Sequence, residues 1–263
     1  MRMKGFGGVL GVVLAQTVAG GLAFTWLFPL WHETKRSYFT IYGSLLTVLF
    51  ALPAWLVTRA GASPGDPSGE WIVRLTLATL VLVAGWTALM LARWQTAARV
   101  VGFVSVPVSA ATLVAFATAA EASLPVALAQ VAVGAIFLGA VYDGLFLGHW
   151  YLTDRKLTRA PIERATRWTI GASIVEMVAI AATGFGGADR TSDSLNPILA
   201  AGDVAPWIAL GMAGATLLIA GMTKGALRGT RPSAVQSATG FYYLAVVTAF
   251  TAEIAVKTRY FPG

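Results

Sequence analysis

Long apolar segments alternate with short polar loops along the chain. Eight segments are about 20 residues long or longer and poor in charge, at roughly 6–31, 39–58, 71–92, 100–120, 125–149, 168–187, 204–223 and 234–256. An α-helix of that length crosses the hydrocarbon core of a bilayer. Apolar residues occupy every face of each segment, without the alternation of a transmembrane β-strand, and lipid then leaves only helices. The pattern predicts an all-α, polytopic transmembrane helix bundle of about eight spans.

The first apolar segment follows two basic residues, Arg2 and Lys4, as the core of a secretory signal would. It continues to Trp31, well beyond the roughly 7–15 apolar residues of a signal peptide. We therefore predict that it is a membrane helix. The sequence has no long linker and no visible internal repeat, so we expect a single integral membrane domain over residues 1–263.

Composition agrees with a membrane protein. Hydrophobic residues make up 57% of the chain and charged residues 12%, and the mean hydropathy is +0.71. Soluble domains have about 25% charged residues. We expect the net charge of +7 to come from basic loops beside anionic lipid, with no nucleic-acid partner. Cysteine is absent, which excludes disulfides and thiolate metal sites, and no metal site is predicted.

Common catalytic and nucleotide-binding motifs are missing. The sequence contains no P-loop, no GxGxxG leading into a helix and no HExxH zinc motif. An independent enzyme is therefore disfavoured. A quinone-reactive subunit of an oxidoreductase complex stays open.

Basic residues are distributed unequally between the two sides of the predicted bundle. The ends that follow spans one, three, five and seven hold 12 of the 19 basic residues: Lys35, Arg36, Arg93, Arg99, Arg155, Lys156, Arg159, Arg164, Arg167, Lys224, Arg228 and Arg231. Short loops rich in lysine and arginine stay in the cytoplasm. We therefore expect a bacterial or archaeal cytoplasmic membrane, with these loops inside and both termini outside.

Two acidic residues, Asp143 and Glu176, lie inside predicted spans five and six. Asp143 comes eleven residues before Asp154 and Glu176 nine after Arg167, so at 1.5 Å per residue each is roughly 13–16 Å in from those charges. Consecutive antiparallel spans would bring both carboxyls to one depth. Two facing carboxyls could not both ionise cheaply, so they would form a candidate proton relay. The alternative is two separate carboxyls, each protonated or hydrogen-bonded within the bundle.

The two histidines, His32 and His149, close spans one and five within the similar sequences WHETKR and HWYLTDRK. Both sequences combine aromatic, acidic and basic residues, which predicts that the imidazoles lie at the same membrane face. Tyr142 falls on the same helix face as His149. The histidines could ligate a haem b, contact a quinone and transfer a proton, or cap helix ends. His32, His149 and Tyr142 are thus candidate quinone or haem contacts.

Other polar and small residues have mainly structural interpretations. Glu253 and Lys257 have the spacing of a helical ion pair, which we expect at the membrane interface and worth little. The loop 188–203 either docks a partner or merely connects two spans. Two Gly-xxx-Gly spacings predict close helix packing, at Gly144 and Gly148 and at Gly221 and Gly225.

The last span has the sequence FYYLAVVTAFTAEIAVKTRYF, residues 241–261. With eight spans, short loops and outside termini, it resembles the membrane-anchor subunits of molybdopterin oxidoreductases, the DmsC and NrfD-like group. The final helix of such anchors commonly closes with Gly-Glu-Leu and an Arg-aromatic pair, where this chain has AEI and RY. The resemblance implies a haem-free subunit that binds a quinone and exchanges electrons with a separate iron–sulfur protein. It also implies a histidine near the quinone, either His32 or His149.

These features lead to one main functional hypothesis and two alternatives. The main hypothesis is an integral membrane subunit of a respiratory-type electron-transfer complex that interacts with quinone and anchors partner subunits. The first alternative is a proton- or cation-coupled small-molecule transporter that uses Asp143 and Glu176. The second is a purely structural membrane subunit.

Overall fold

The computed structural model describes residues 5–60, 67–154, 157–185, 204–229, 231 and 233–260. These residues form helices and include no β-strand, which confirms the predicted all-α class. Eight of their helices are long, and a single short turn of helix, α2, follows the first. The helices are α1 (Gly5–Leu27), α2 (Leu30–Glu33), α3 (Arg36–Ala60), α4 (Pro67–Leu91), α5 (Gln95–Thr118), α6 (Leu124–Thr153), α7 (Ala160–Thr183), α8 (Val204–Leu227) and α9 (Ser233–Lys257).

Within the described ranges, seven of the long helices have the length and apolar composition of a membrane span. The exception is α7, whose 24 residues include four charged ones: Glu163, Arg164, Arg167 and Glu176. Two contacts place it antiparallel to α6. Gln130 Nε2 donates to Thr183 Oγ1 at 2.7 Å, and Thr169 Oγ1 donates to Ala140 O at 3.2 Å. Because α7 is roughly 36 Å long at 1.5 Å per residue, it runs beside α6 through the bundle.

The start of α7 differs from the predicted span. The apolar segment was expected to begin at residue 168, whereas the helix begins at Ala160 with Pro161 in its first turn. Proline is favoured there because its missing N–H would have no partner in the helix. Arg164 and Arg167 therefore belong to the helix and not to the preceding loop.

Helices α1 and α6 lie side by side at the centre and run in the same direction. A Cβ added to Gly20 would collide with the carbonyl oxygen of Ala135, and one added to Gly139 would press against the backbone of Gly20. Only glycine permits backbones this close. One turn earlier, Gln16 Nε2 donates to the carbonyl oxygen of Gln130 at 3.2 Å. The two contacts follow the same order on both helices, so α1 and α6 are parallel.

The helix contacts divide the bundle into two similar halves. In the first half, α1 contacts α3 and α5, and α4 contacts both of those helices. In the second half, α6 contacts α7 and α9, and α8 contacts both. Each half has four long helices, and the leading helices α1 and α6 are parallel. The two halves share this order of helix contacts although the sequence shows no internal repeat.

Large apolar side chains cover the outside of the bundle. Val48, Val81, Leu218 and Val247 expose 64–72% of their surface, one on each of α3, α4, α8 and α9. A soluble monomer rarely exposes contiguous apolar surface on this scale. The outer faces of the helices therefore suit contact with a lipid bilayer.

Only one of the two Gly-xxx-Gly spacings packs closely. A Cβ on Gly144 would collide with the ring of Tyr242, and a Cβ on Gly148 would also overlap α9. At Gly221 and Gly225 a Cβ would meet none of the described atoms within 4 Å. The packing prediction is confirmed for the α6 pair and wrong for the α8 pair, since that face of α8 points away from the bundle.

Replacing Gly139 by alanine should destabilise the bundle, because the added methyl group meets backbone that cannot move aside. We expect a loss of about 1–3 kcal/mol, as for overpacked cores. Gly221→Ala is the matched control and should cause no loss. Thermal unfolding of the two detergent-purified variants measures the difference, and equal midpoints would contradict the α1–α6 contact.

Candidate functional site

Asp143 lies on α6 where that helix is enclosed on all sides, and 3% of the residue is exposed. Tyr38, in the first turn of α3, donates its hydroxyl to Asp143 Oδ1 at 3.2 Å. The rings of Tyr42 and Phe146 lie 5.6 and 5.2 Å from the Tyr38 ring. Asp143 is therefore a carboxyl with a phenol donor in aromatic surroundings. Sequence reasoning missed Tyr38, because nothing in the α3 sequence marks a partner in α6.

Arg164 places a positive charge beside Asp143. Its guanidinium forms a two-pronged ion pair with Glu33 at the end of α2, with Nη1 3.0 Å from Oε1 and Nη2 bonded to Oε2. The charge of Arg164 also acts on Asp143. A cavity of about 10 Å³ separates these groups, close to the volume that one water probe occupies. Its remaining wall is mainly apolar: Phe24, Phe28, Leu30, Pro161, Ala165 and Trp168.

Buried hydroxyl groups continue from this site along one face of α7. Tyr242 of α9 lies with its hydroxyl 3.0 Å from Thr166 Oγ1 and 3.4 Å from Thr169 Oγ1. Ser173 follows on the same face and is fully buried. Residues three and four apart share a helix face, so this face leads directly to Glu176.

Glu253 and Lys257 form an ion pair inside the bundle. Lys257 Nζ lies 2.8 Å from Glu253 Oε2, and neither side chain is exposed. Lys257 Nζ also donates to the carbonyl oxygen of Gln130 at 3.0 Å and to its Oε1 at 3.3 Å. The expectation of a weak, solvent-accessible pair is therefore wrong, although the pair does lie near the end of α9 as the sequence indicated. The acid–base spacing of four residues is the same for a buried and an exposed pair, so the sequence could not separate them.

Glu176 and Gln16 complete this second polar site. Glu176 is fully buried, and its carboxyl interacts with the carboxyl of Glu253 and with the ammonium of Lys257. Gln16 is equally buried, and a Cβ on Gly134 would overlap both Gln16 Nε2 and Glu253 Oε2. Helices α1, α6, α7 and α9 thus meet at one point. Because Gly134 has no side chain, there is room for these polar side chains. We call Gln16, Gln130, Glu176, Glu253 and Lys257 the carboxyl cluster.

The structure does not bring Asp143 and Glu176 to one depth. Asp143 faces Arg164 near the start of α7, and Glu176 lies twelve residues further along that helix, or roughly 18 Å. The expected facing pair is therefore wrong in its geometry. Arg167 does not mark the end of the span, because α7 already begins at Ala160, and the distance from Arg167 therefore does not give the depth of Glu176. Each acid instead has its own surroundings, and their roles in proton transfer stay predictions.

The two histidines lie at the same end of the bundle, as predicted, but neither points into it. Lys35 Nζ lies 2.8 Å from Asp154 Oδ2, which joins the start of α3 to the end of α6. His32 and His149 are both exposed. Tyr142 is buried and lies with its ring 5.8 Å from that of Tyr42, beside the Asp143 site and away from the helix end. The haem b and quinone contacts expected at these residues stay predictions.

The end of the chain fastens α9 to α7 at the opposite end of the bundle. Tyr260 donates its hydroxyl to Thr183 O at 3.1 Å, and the Arg259 guanidinium donates to Gly184 O. These contacts give the RY sequence of the last span a structural role. The loop 188–203, considered as a partner-docking segment, lies outside the described residues.

Searches with the chain found no matching protein family, no matching characterised protein and no matching solved structure. The resemblance to molybdopterin oxidoreductase anchors therefore stays a prediction. Function has to be argued from the two buried polar sites.

The ion pair of Glu253 and Lys257 should be essential for folding, whereas an exposed pair of the same spacing should not. Lys257→Met leaves Glu253 and Glu176 buried without a positive charge beside them, and losing one partner of a buried pair costs about 3–5 kcal/mol. Glu70 and Arg74 are the matched control, 2.9 Å apart with 47% and 66% of their side chains exposed. Glu70→Gln should leave the thermal midpoint in detergent unchanged. Similar midpoints for both variants would contradict the burial of the α9 pair.

Proposed function

We propose that this protein is a proton-coupled transporter, in which Asp143 binds the proton that drives the movement of a solute or cation. The observation that carries the proposal is that buried polar contacts join the two halves of the bundle at two depths. One contact is the hydrogen bond from Tyr38 in the first half to Asp143 in the second. The other brings Gln16 of the first half to Gln130 and Glu253 of the second.

The close contact between α1 and α6 lies between these two sites. Along α6, Gly139 follows Gly134 of the carboxyl cluster by roughly 7.5 Å and precedes Asp143 by roughly 6 Å. A small rotation of the halves about Gly20 and Gly139 would therefore shift the two polar contacts in opposite directions. Transporters built from parallel repeats work by such rocking around a site between the repeats. Proton binding at Asp143 would weaken its bond from Tyr38 and favour one arrangement of the halves.

The cost of buried charge argues against a purely structural subunit. A charged residue at the centre of a membrane helix costs about 2.5–3.5 kcal/mol even on insertion scales, and such residues mark ion and proton pathways. Asp143 adds no packing that a leucine or asparagine could not supply. A role in proton binding explains why a carboxyl occupies this position.

Proteoliposomes test the proton-binding role of Asp143. With Na⁺, K⁺ and a mixture of small solutes on both sides as possible coupling partners, an inwardly directed proton gradient should acidify vesicles that contain the protein, measured with an internal pH dye. Asp143→Asn cannot take up a proton, so its rate should fall to that of protein-free vesicles. Glu70→Gln, an exposed acid in the first turn of α4, should keep the wild-type rate. A wild-type rate equal to that of empty vesicles would overturn the proposal.

A quinone-interacting subunit is the second candidate, favoured by the wall of the Asp143 cavity. Because the cavity beside Arg164 and Asp143 has room for about one water, a quinone carbonyl could accept from Arg164 only after the surrounding side chains move apart, and Asp143 could then supply one of the two protons that accompany two electrons in quinol formation. Trp168, which lines the cavity, is 44% exposed on the outer surface. Phe24 borders both this cavity and an apolar fissure of about 320 Å³ between α1, α5 and α6 that could hold a hydrocarbon tail. The electrons would come from a partner subunit.

Binding of a short-chain quinone tests this candidate through tryptophan fluorescence, to which Trp168 contributes as one of nine tryptophans. Decylubiquinone should quench the wild-type protein saturably, and Arg164→Met should remove the saturable part because the carbonyl loses its donor. Arg167→Met, an exposed neighbour on the same helix, is the control and should bind normally. If the double variant His32→Ala/His149→Ala loses binding instead, the quinone contacts lie at the histidines, as the sequence predicted. Purely linear quenching in wild type would reject the candidate.

A further inference from the structure

We propose that the carboxyl cluster binds one monovalent metal cation, with Na⁺ as the representative ion, between Glu176 and Glu253. This inference goes beyond the role of Asp143, because it adds a second ligand at a separate site. If the protein is a transporter, the cation bound at this site would be the ion that is exchanged for the proton. It also stands if Asp143 has a different function.

The first argument is an excess of buried oxygen atoms over donors. Among the described residues no other side chain or backbone N–H donates to either carboxyl oxygen of Glu176, to Glu253 Oε1 or to Gln16 Oε1, and the two carboxyls lie within hydrogen-bonding reach of each other, which requires a proton or a cation between them. Glu176 is fully buried and lies against Glu253. Buried polar atoms nearly always have a partner, and leaving one without it is costly. Hard cations are bound by carboxylate and carbonyl oxygens, which are the atoms left over here.

The orientation of the Gln16 amide is fixed by its neighbours. Its nitrogen donates to the carbonyl oxygens of Gln130 and Val131 at 3.2 and 3.1 Å. A carbonyl oxygen can only accept, so exchanging the amide nitrogen and oxygen would lose both bonds. Gln16 Oε1 is therefore the free acceptor, and it belongs to a buried side chain whose amide lies near the Glu253 carboxyl.

Charge selects a monovalent ion. When Glu176 and Glu253 are both ionised, they and the Lys257 ammonium leave the cluster with a net charge of −1, which is unfavourable in an apolar interior, so the cluster takes up either a proton or a cation. One monovalent cation restores neutrality, whereas a divalent cation would leave an excess of +1. Lys257 already holds one oxygen of Glu253 at 2.8 Å, so the added ion would share Glu253 with it and take Glu176 as its own ligand.

Thermal unfolding of the detergent-purified protein in different salts tests the site. At mildly alkaline pH and constant ionic strength, NaCl should raise the unfolding midpoint above its value in choline chloride, and the rise should saturate. At a Na⁺ concentration of 100 times Kd, the ratio of folded to unfolded protein should increase about 100-fold. Glu176→Gln should unfold at one midpoint in both salts, because it removes the carboxylate that the ion takes as ligand.

Two control variants separate this site from other acids. Asp143→Asn should keep the Na⁺-dependent rise, so failure of the proton-transport proposal and failure of the cation site can be told apart. Glu121→Gln, an exposed acid near the same end of the bundle, should also keep it. Should Glu176→Gln not fold, saturable binding of radioactive Na⁺ to the wild-type protein, displaced by unlabelled Na⁺, supports the site and its absence overturns it.

Two results would overturn the inference. In the first, the wild-type midpoint is the same in sodium and choline salts, so no metal cation stabilises the folded protein. In the second, the midpoint depends on pH through Glu176 but on no metal cation, so the carboxyl cluster holds a proton only.

Discussion

The close backbone contact between α1 and α6 determines how the rest of the bundle is arranged. Gly20 and Gly139 let the two central helices approach until their backbones touch, and each of them contacts two further long helices of its own half, which a fourth helix joins on the outside. The contact also sets the register of the two helices. Gln16 reaches the Gln130 carbonyl on one side of it, and Phe24 comes to the Asp143 cavity on the other. Both polar sites therefore depend on two residues that have no polar group of their own.

The second constraint is the cost of charge in an apolar interior, which the bundle meets with paired residues. Arg164 pairs with Glu33, and Lys257 with Glu253. The first pair joins the two halves, because its members come from α2 and α7, whereas the second lies within one helix. Arg164 and Lys257 each act on a further acid, Asp143 and Glu176 respectively. Sharing one base between two acids leaves each site short of positive charge, which suits the binding of a cation or proton.

Hydropathy predicted the helices well, because the length and apolar composition of a single continuous segment decide whether it forms a membrane helix. It failed wherever the answer depended on how two helices align. The depth of Glu176 was misjudged because Arg167 lies in α7 and not in a loop. The sequence does not indicate the burial of Lys257, because an acid and a base four residues apart have the same spacing in a surface pair and in a buried pair. Tyr38 and Gln16 reach their partners across 105 and 114 residues, and one sequence gives no sign of such contacts.

The placement of the two sites on either side of the central contact has a mechanical consequence. If the halves rotate about Gly20 and Gly139, lengthening the Tyr38 bond to Asp143 shortens the distance between Gln16 and the second half, and the reverse motion does the opposite. Ligand binding at one site then changes the affinity of the other, because both share the same rotation, and this coupling must be equal in the two directions. A proton at Asp143 and a cation in the carboxyl cluster would in this way be linked without touching. Two separate acids at different depths serve such a linkage better than a single facing pair, which could only exchange a proton locally.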